Sequence, residues 1–84
     1  MDEEKQIGEV THYYSHLGVA IVKFNRAVKV GETVRFKGHT TDFTETINSI
    51  QFDHNDVPEA KKGQEVGIKV SEKVRDGDQV LEVV

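Results

Sequence analysis

A short glycine turn that leads into an alternating apolar segment occurs three times in this chain. The copies lie at residues 29–34, 61–66 and 75–80, and each has Lys or Arg, a glycine two residues later, and then Glu, Gln or Asp. Glycine adopts the positive φ that a tight turn requires, and a valine that opens an alternating segment is typical of a half-buried strand. The repeat therefore predicts three turns that each feed a β-strand, in a small β-barrel.

Hydrophobic alternation predicts six strands in all. They are expected at residues 7–13, 19–24, 33–37, 43–52, 65–70 and 79–84. Within the fourth strand the apolar side chains change parity, as one inserted residue would cause, so a β-bulge is predicted near Asn48 and Ser49. Pro58 suits the first position of a single helical turn over 58–62. The predicted fold class is all-β: a small closed six-stranded antiparallel β-barrel.

The length of 84 residues allows one domain with one core. Residues 7–84 are predicted to form that domain, and the acidic residues 1–6 a flexible N-terminal tail. The chain has no cysteine, which excludes disulfides and thiolate metal sites and favours a cytoplasmic location. It also has no apolar run of the length of a membrane span, so no membrane partner is expected.

The net charge of −4 is unevenly distributed along the sequence. Residues 23–39 have a net charge of +4, whereas residues 40–60 have −5 and contain no Lys or Arg. A basic segment on an acidic protein disfavours indiscriminate nucleic-acid binding but permits a local phosphate contact. The candidate RNA-binding residues are Lys23, Arg26, Lys29, Arg35 and Lys37, with His39 and Thr40 as added hydrogen-bonding groups.

The predicted second strand is apolar on both parities, unlike a strand with one solvated face. Its side chains Ala20, Val22 and Phe24 are the candidate residues for a protein-interaction or self-association face. The chain would then act by docking to a protein.

No catalytic residues, metal site or cofactor are predicted. His12 and His16 are four residues apart but straddle a strand and a turn, which does not suit the shared helical face of a zinc motif. The polar residues 39–42 either orient a base or hold a cation, or form a β-turn whose side chains bond the nearby backbone.

The ordered series of motifs resembles domain 2 of translational GTPases such as elongation factor Tu. The matching stretches are 7–10, 18–20, 26–34, 46–50, 60–68 and 74–81. Short stand-alone proteins called translation elongation factor-like are similar through residues 38–44 as well. The C-terminal barrel appended to one family of collagenase-like peptidases is also similar.

The resemblance to translation factors implies a non-catalytic binding module with a barrel of the elongation factor Tu domain 2 type. The chain has no phosphate-binding loop of the form G-x-x-x-x-G-K-[ST] and is too short for a GTPase domain, so no GTP binding is expected. Three hypotheses follow: contact with RNA or the ribosome through the basic hairpin, docking to an unidentified protein, and service as an accessory to an enzyme.

Overall fold

The chain folds into β-strands joined by turns, without a helix among residues 5–83, the part that this computed structural model describes. The strands are β1 (Gln6–Tyr14), β2 (Val19–Phe24), β3 (Val28–Lys29), β4 (Thr33–Lys37), β5 (Asp42–Thr46), β6 (Ile50–Phe52), β7 (Asn55–Val57), β8 (Glu59–Ala60), β9 (Glu65–Lys69) and β10 (Gln79–Glu82). The all-β prediction is confirmed. The predicted helical turn over 58–62 is wrong, because β8 occupies part of that segment and pairs with β3.

Eight of the strands form one antiparallel sheet in the order β5-β4-β10-β1-β2-β9-β6-β7, and β3 pairs with β8 separately. The sheet order ends at β5 and β7, and no closed barrel is found among residues 5–83. The prediction of a closed six-stranded barrel is therefore corrected to a compact sheet in which all paired strands are antiparallel. The elongation factor Tu domain 2 type is not confirmed by this arrangement.

The three glycine turns are confirmed and share one hydrogen-bonding pattern. Gly31, Gly63 and Gly77 have φ of 101°, 85° and 90°, the region that a side chain disfavours. The residue after each glycine donates its N–H to the carbonyl of the Lys or Arg that opens the turn, at 3.2, 3.0 and 3.0 Å. β4, β9 and β10 begin directly after these turns.

The acidic or amide residue after each glycine has a structural role in the same turn. Its side-chain oxygen accepts the backbone N–H of the opening residue: Lys29 to Glu32 at 2.8 Å, Lys61 to Gln64 at 3.0 Å and Arg75 to Asp78 at 2.9 Å. Each turn glycine in addition donates its N–H to a distant strand or loop carbonyl, on Ile47, Phe24 and Val10. Each copy of the repeat thus forms a turn that is hydrogen-bonded to a distant part of the fold.

The predicted fourth strand is two strands in different parts of the sheet. β5 pairs with β4 at one edge, whereas β6 pairs with β9 near the other. Between them the backbone of Ile47 bonds to the first glycine turn, accepting from Gly31 and donating to Glu32. The change of parity near Asn48 and Ser49 therefore marks a crossing between edges and not a bulge. Register shifts occur instead in β1, where it meets β10 and β2.

The core is formed by the inward side chains of the large sheet. Phe24 and Phe36 are its largest members, and the Phe24 ring lies over Gly8 of the neighbouring strand, where a Cβ would be 2.9 Å from Cδ1. At the N-terminus, β1 begins at Gln6, and the Lys5 carbonyl accepts a hydrogen bond from Glu82. Two of the six residues predicted to form a tail thus join the sheet, and residues 1–4 and 84 lie outside the described residues.

Candidate interaction surfaces

The two arginines of the predicted RNA-binding set are held by carboxylates. Arg35 in β4 donates to both oxygens of Asp42, at 2.7 and 2.8 Å. Arg26 contacts Glu32 at 3.2 Å and Glu82 at 3.4 Å. Hydrogen bonding to Arg35 lowers the pKa of Asp42 below its ordinary value. These guanidinium groups organise the protein's own surface, and their charge is largely offset.

Two lysines of the set, Lys23 and Lys37, lie in a row of mixed charge that crosses the outer face of the sheet. Successive cross-strand partners in that row are Asp42, Lys37, Gln79, Glu9, Lys23 and Glu65. Directly opposite residues on adjacent strands have Cβ atoms about 4.5–5.5 Å apart, so each lysine has an acid as a neighbour. Lys23 and Lys37 are three strands apart and do not form a single positive patch.

Lys29 lies at the opening of the first glycine turn, with its side chain exposed. His39 and Thr40 lie in the tight turn after β4, where Gly38 donates its N–H to the Thr41 carbonyl at 2.7 Å. Residues 38–40 form a bend, and Asp42 opens β5 with its carboxylate bonded to Arg35, so both alternatives for residues 39–42 stay predictions. The seven candidate RNA-binding residues are therefore distributed over three separate places.

A wide open groove of about 850 Å³ lies beside β4 and the third glycine turn. It brings Arg35, Lys37 and His39 of the predicted set together with Arg75. Asp76 and Asp78 line it as well. Sequence reasoning missed Arg75 and Asp78, which are remote in sequence and reach β4 only through its pairing with β10. The glycine-turn pattern that Arg75 and Asp78 share with the other two turns was the one sequence signal that could have pointed to them. The groove carries both signs of charge.

The predicted protein-interaction face has the opposite parity to the one expected. Ala20, Val22 and Phe24 are 0%, 0% and 1% exposed and belong to the core, so they are not available to a partner. Because side chains alternate across a strand, Val19 and Ile21 point outward and remain partly exposed. β2 therefore has apolar residues on both faces. Its outer face carries Val19 and Ile21, not the predicted residues.

An apolar outer patch extends from this strand over the neighbouring strands and hairpin tip. We define the outer patch as Tyr14, Leu17, Val19, Ile21 and Gly67. Tyr14 pairs with Val19, and Ile21 pairs with Gly67 across the sheet. Tyr14 is 47% exposed and Leu17 64% exposed, while Gly67 leaves a depression between the side chains of β2 and β6. Two shallow cavities of about 320 and 240 Å³ meet here and share Leu17, Val19, Gln51 and Gly67.

His12 and His16, whose spacing did not suit a zinc motif, lie in β1 and in the turn that follows it. His12 packs its ring edge against Tyr14, with ring centroids 4.4 Å apart. Within residues 5–83, no group of three or more His, Asp or Glu side chains is arranged to hold a metal ion. The same range of residues contains no helix that is long and apolar enough to cross a membrane.

Comparison with known proteins associates the chain with peptidases. No protein-family model matches it. The chain is 40% identical over 76 residues to an uncharacterized protease of Methanocaldococcus jannaschii and 30% identical over 80 residues to a collagenase of Porphyromonas gingivalis. These matches cover 89% and 93% of this chain but only 19% and 22% of the relatives. The chain thus spans about a fifth of the length of the curated relatives that it matches.

Solved structures give the same association. Two crystal structures of the C-terminal domain of a Geobacillus thermoleovorans protein assigned to the U32 peptidases superpose with TM-scores of 0.87 and 0.86, each at 25% identity. The first match covers 93% of this chain and 99% of that domain. This chain is similar to a U32 peptidase C-terminal domain.

These matches correct the resemblance to domain 2 of translation factors and to stand-alone elongation factor-like proteins. The resemblance depended on the glycine turns. These turns are required to connect strands in a small antiparallel sheet, so their presence does not distinguish one family from another. The similarity to the C-terminal barrel of collagenase-like peptidases, also noted from the sequence, agrees with the matches.

Proposed function

We propose that this chain is a non-catalytic accessory domain that works with a catalytic domain of the U32 peptidase type. The observation that carries the proposal is the whole-length similarity to the C-terminal domain of the Geobacillus protein. The curated relatives, named as a protease and collagenases, are about five times as long as the matched region. The catalytic part of such proteins is then assigned to the remaining four-fifths.

A domain exchange in the Porphyromonas gingivalis collagenase tests this function. Collagen hydrolysis is compared for the intact collagenase, a form without the matched region, and a chimera that carries this chain in its place. Deletion should lower hydrolysis and the chimera should restore it, while the isolated chain has no activity. A chimera with Val22→Asp is the control, because a carboxylate in the core disrupts this domain alone.

Two outcomes would contradict the proposal. Peptide hydrolysis by the purified isolated chain would assign catalysis to these residues. A folded chimera with no more activity than the deletion form would show that the chain cannot serve as the accessory domain.

A contact with RNA is a second proposal, supported by the groove that gathers Lys37, His39 and Arg75. Reversal of Lys37 and Arg75 to Glu should weaken co-sedimentation with ribosomes and reduce the salt dependence by about one unit of slope per lost phosphate contact. Reversal of Lys61 and Lys62, which lie outside that groove, is the matched control. Equal losses from both pairs, or no ribosome binding by the unaltered chain, would overturn the RNA proposal.

A further inference from the structure

The outer patch is a sheet face that residues 5–83, the described part of the chain, leave uncovered. Val19 and Ile21 of β2 flank Gly67 of β9, and Leu17 extends from the adjoining hairpin tip with about two-thirds of its surface exposed. Glycine in the interior of a strand weakens the strand but lets another surface approach the backbone closely. Gly67 lines both shallow cavities, and the position of its missing Cβ is 3.3 Å from Val19 Cγ1 and 3.7 Å from Ile21 Cδ1, so apolar side chains wall the depression.

The rim of this patch is mostly acidic. Asp53 and Glu65 line the larger of its two cavities, and Asp56 accepts a hydrogen bond from Gln51 at the side of the depression. Lys69 is the one cation that lines either cavity within the described part of the chain. A second copy of the chain is a poor occupant, because face-to-face docking would bring Asp53 and Glu65 of both copies together.

The size of the relatives indicates which partner is available. Their matched region is accompanied by about four times as much chain, and under the proposed function that chain carries the catalytic domain. Interfaces between domains of one chain are partly polar and bury roughly 600–1,500 Å², so an apolar depression with a charged rim suits them.

We infer that the outer patch is the surface that docks onto the peptidase catalytic domain, with an apolar side chain of that domain seated over Gly67 and Lys or Arg residues facing Asp53 and Glu65. This inference rests on the proposed function and deepens it. Under this inference the groove near Arg75 lies outside the interface with the catalytic domain.

Site-specific labelling of the chimera tests the surface directly. The chain has no cysteine, so Leu17→Cys introduces a single thiol into it, and mass spectrometry of the peptide that carries the thiol gives its labelling rate. We expect labelling at least about tenfold slower in the chimera than in the isolated chain, because docking excludes the reagent. Lys37→Cys, in the groove, is the matched control and should be labelled equally fast in both.

A functional arm uses the same chimera with Leu17→Glu and Ile21→Glu together. Both side chains point outward, so the isolated variant should unfold at an unchanged denaturant concentration, whereas the chimera should lose at least half of the restored collagen hydrolysis. Lys61→Glu with Lys62→Glu, which line neither cavity of the outer patch, should leave that hydrolysis unchanged.

The outcomes separate the two claims. Restored hydrolysis with equal labelling of Leu17→Cys in both forms, or with protection of Lys37→Cys instead, would overturn the outer patch and leave the proposed function intact. Protection of Leu17→Cys in a folded but inactive chimera would support the docking surface and contradict the proposed function. The Methanocaldococcus jannaschii relative is a second host in which both measurements are made if the first chimera does not fold.

Discussion

The carboxylate of Asp78 occupies the space that a side chain on Gly38 would need. A Cβ built on Gly38 overlaps Oδ1 of Asp78, although Gly38 does not have a positive φ. Asp78 is only 5% exposed, and its other oxygen accepts the Arg75 N–H at 2.9 Å. The contact joins the turn after β4 to the third glycine turn, which lies immediately before β10.

We therefore expect Gly38→Ala to destabilise the fold by about 1–3 kcal/mol, because the buried Asp78 carboxylate must move and leave the part-buried Arg75 N–H without its acceptor. Urea unfolding measures the change in the free energy of unfolding. Gly67→Ala is the control: its φ is also not positive and its new Cβ would meet only side-chain atoms at 3.3 Å or more, so a smaller loss is expected. The double variant with Asp78→Ala should cost less than the sum of the single changes, and strict additivity would contradict the overlap.

Each turn glycine should resist substitution for a purely conformational reason. No atom lies within 4 Å of a Cβ built on Gly31, Gly63 or Gly77, so Ala has room at all three positions. Their positive φ still disfavours an L-residue, and we expect each Gly→Ala change to cost about 1–2 kcal/mol in urea unfolding.

A chemically synthesised chain with D-alanine at Gly77 is the control, and its free energy of unfolding should change in the opposite direction. D-alanine favours positive φ and limits the unfolded chain, so it should stabilise the fold. Destabilisation by D-alanine would show that crowding, and not backbone conformation, decides this position.

The sequence predicted the turns and five of the six strand locations well because those features are local. A glycine between Lys or Arg and a side-chain acceptor is sufficient to specify the turn at Lys29, Lys61 and Arg75, and alternation marks the strand that follows. These signals do not depend on which strands later become neighbours.

The features that the sequence did not predict depend on contacts between residues that are distant in sequence. The split near Ile47 follows from its backbone bonds to the first glycine turn, which no local pattern reveals. The inward parity of β2 could not be chosen while both parities were apolar, and only pairing with β1 and β9 assigns Val22 to the core. The acids that lie beside Lys23 and Arg35 could not be predicted for the same reason, because they come from other strands.

The Glu32 carboxylate should contribute stability that acid removes. Partial burial acts to raise its pKa, but the hydrogen bond from the Lys29 N–H and the charge of Arg26 outweigh burial, so the pKa lies below its ordinary value of 4.5. A lowered pKa in the folded state means that the contribution is complete above about pH 4.5 and is lost as the pH falls through the folded-state value. Glu32 is therefore expected to stabilise the fold at pH 7 and not in strong acid.

Substitution by Gln separates the two roles of Glu32. Gln64 already performs the same capping in the second turn, so Glu32→Gln should keep the bond to the Lys29 N–H and lose only the exposed ion pair, at a cost below about 1 kcal/mol at pH 7. Glu32→Ala should cost more, because the cap is lost too. Urea unfolding at pH 7 and pH 3 should show a smaller difference between the Gln variant and the unaltered chain at pH 3 than at pH 7. An equal difference at both would contradict the charge argument.

The turn between β6 and β7 should become more stable when His54 is replaced by glycine. Asp53 and His54 have φ of 55° and 64°, and a two-residue hairpin loop with two positive φ angles is the type I′ turn that favours Asn-Gly or Asp-Gly. His54→Gly creates Asp-Gly and relieves a left-handed residue, so we expect a gain of about 0.5–1 kcal/mol in urea unfolding. His16→Gly is the matched control, because His16 lies in the β1–β2 turn without a positive φ and glycine there should only add freedom to the unfolded chain and destabilise the fold. A loss of stability from His54→Gly as large as that from His16→Gly would show that the His54 side chain contributes more than its backbone strain costs.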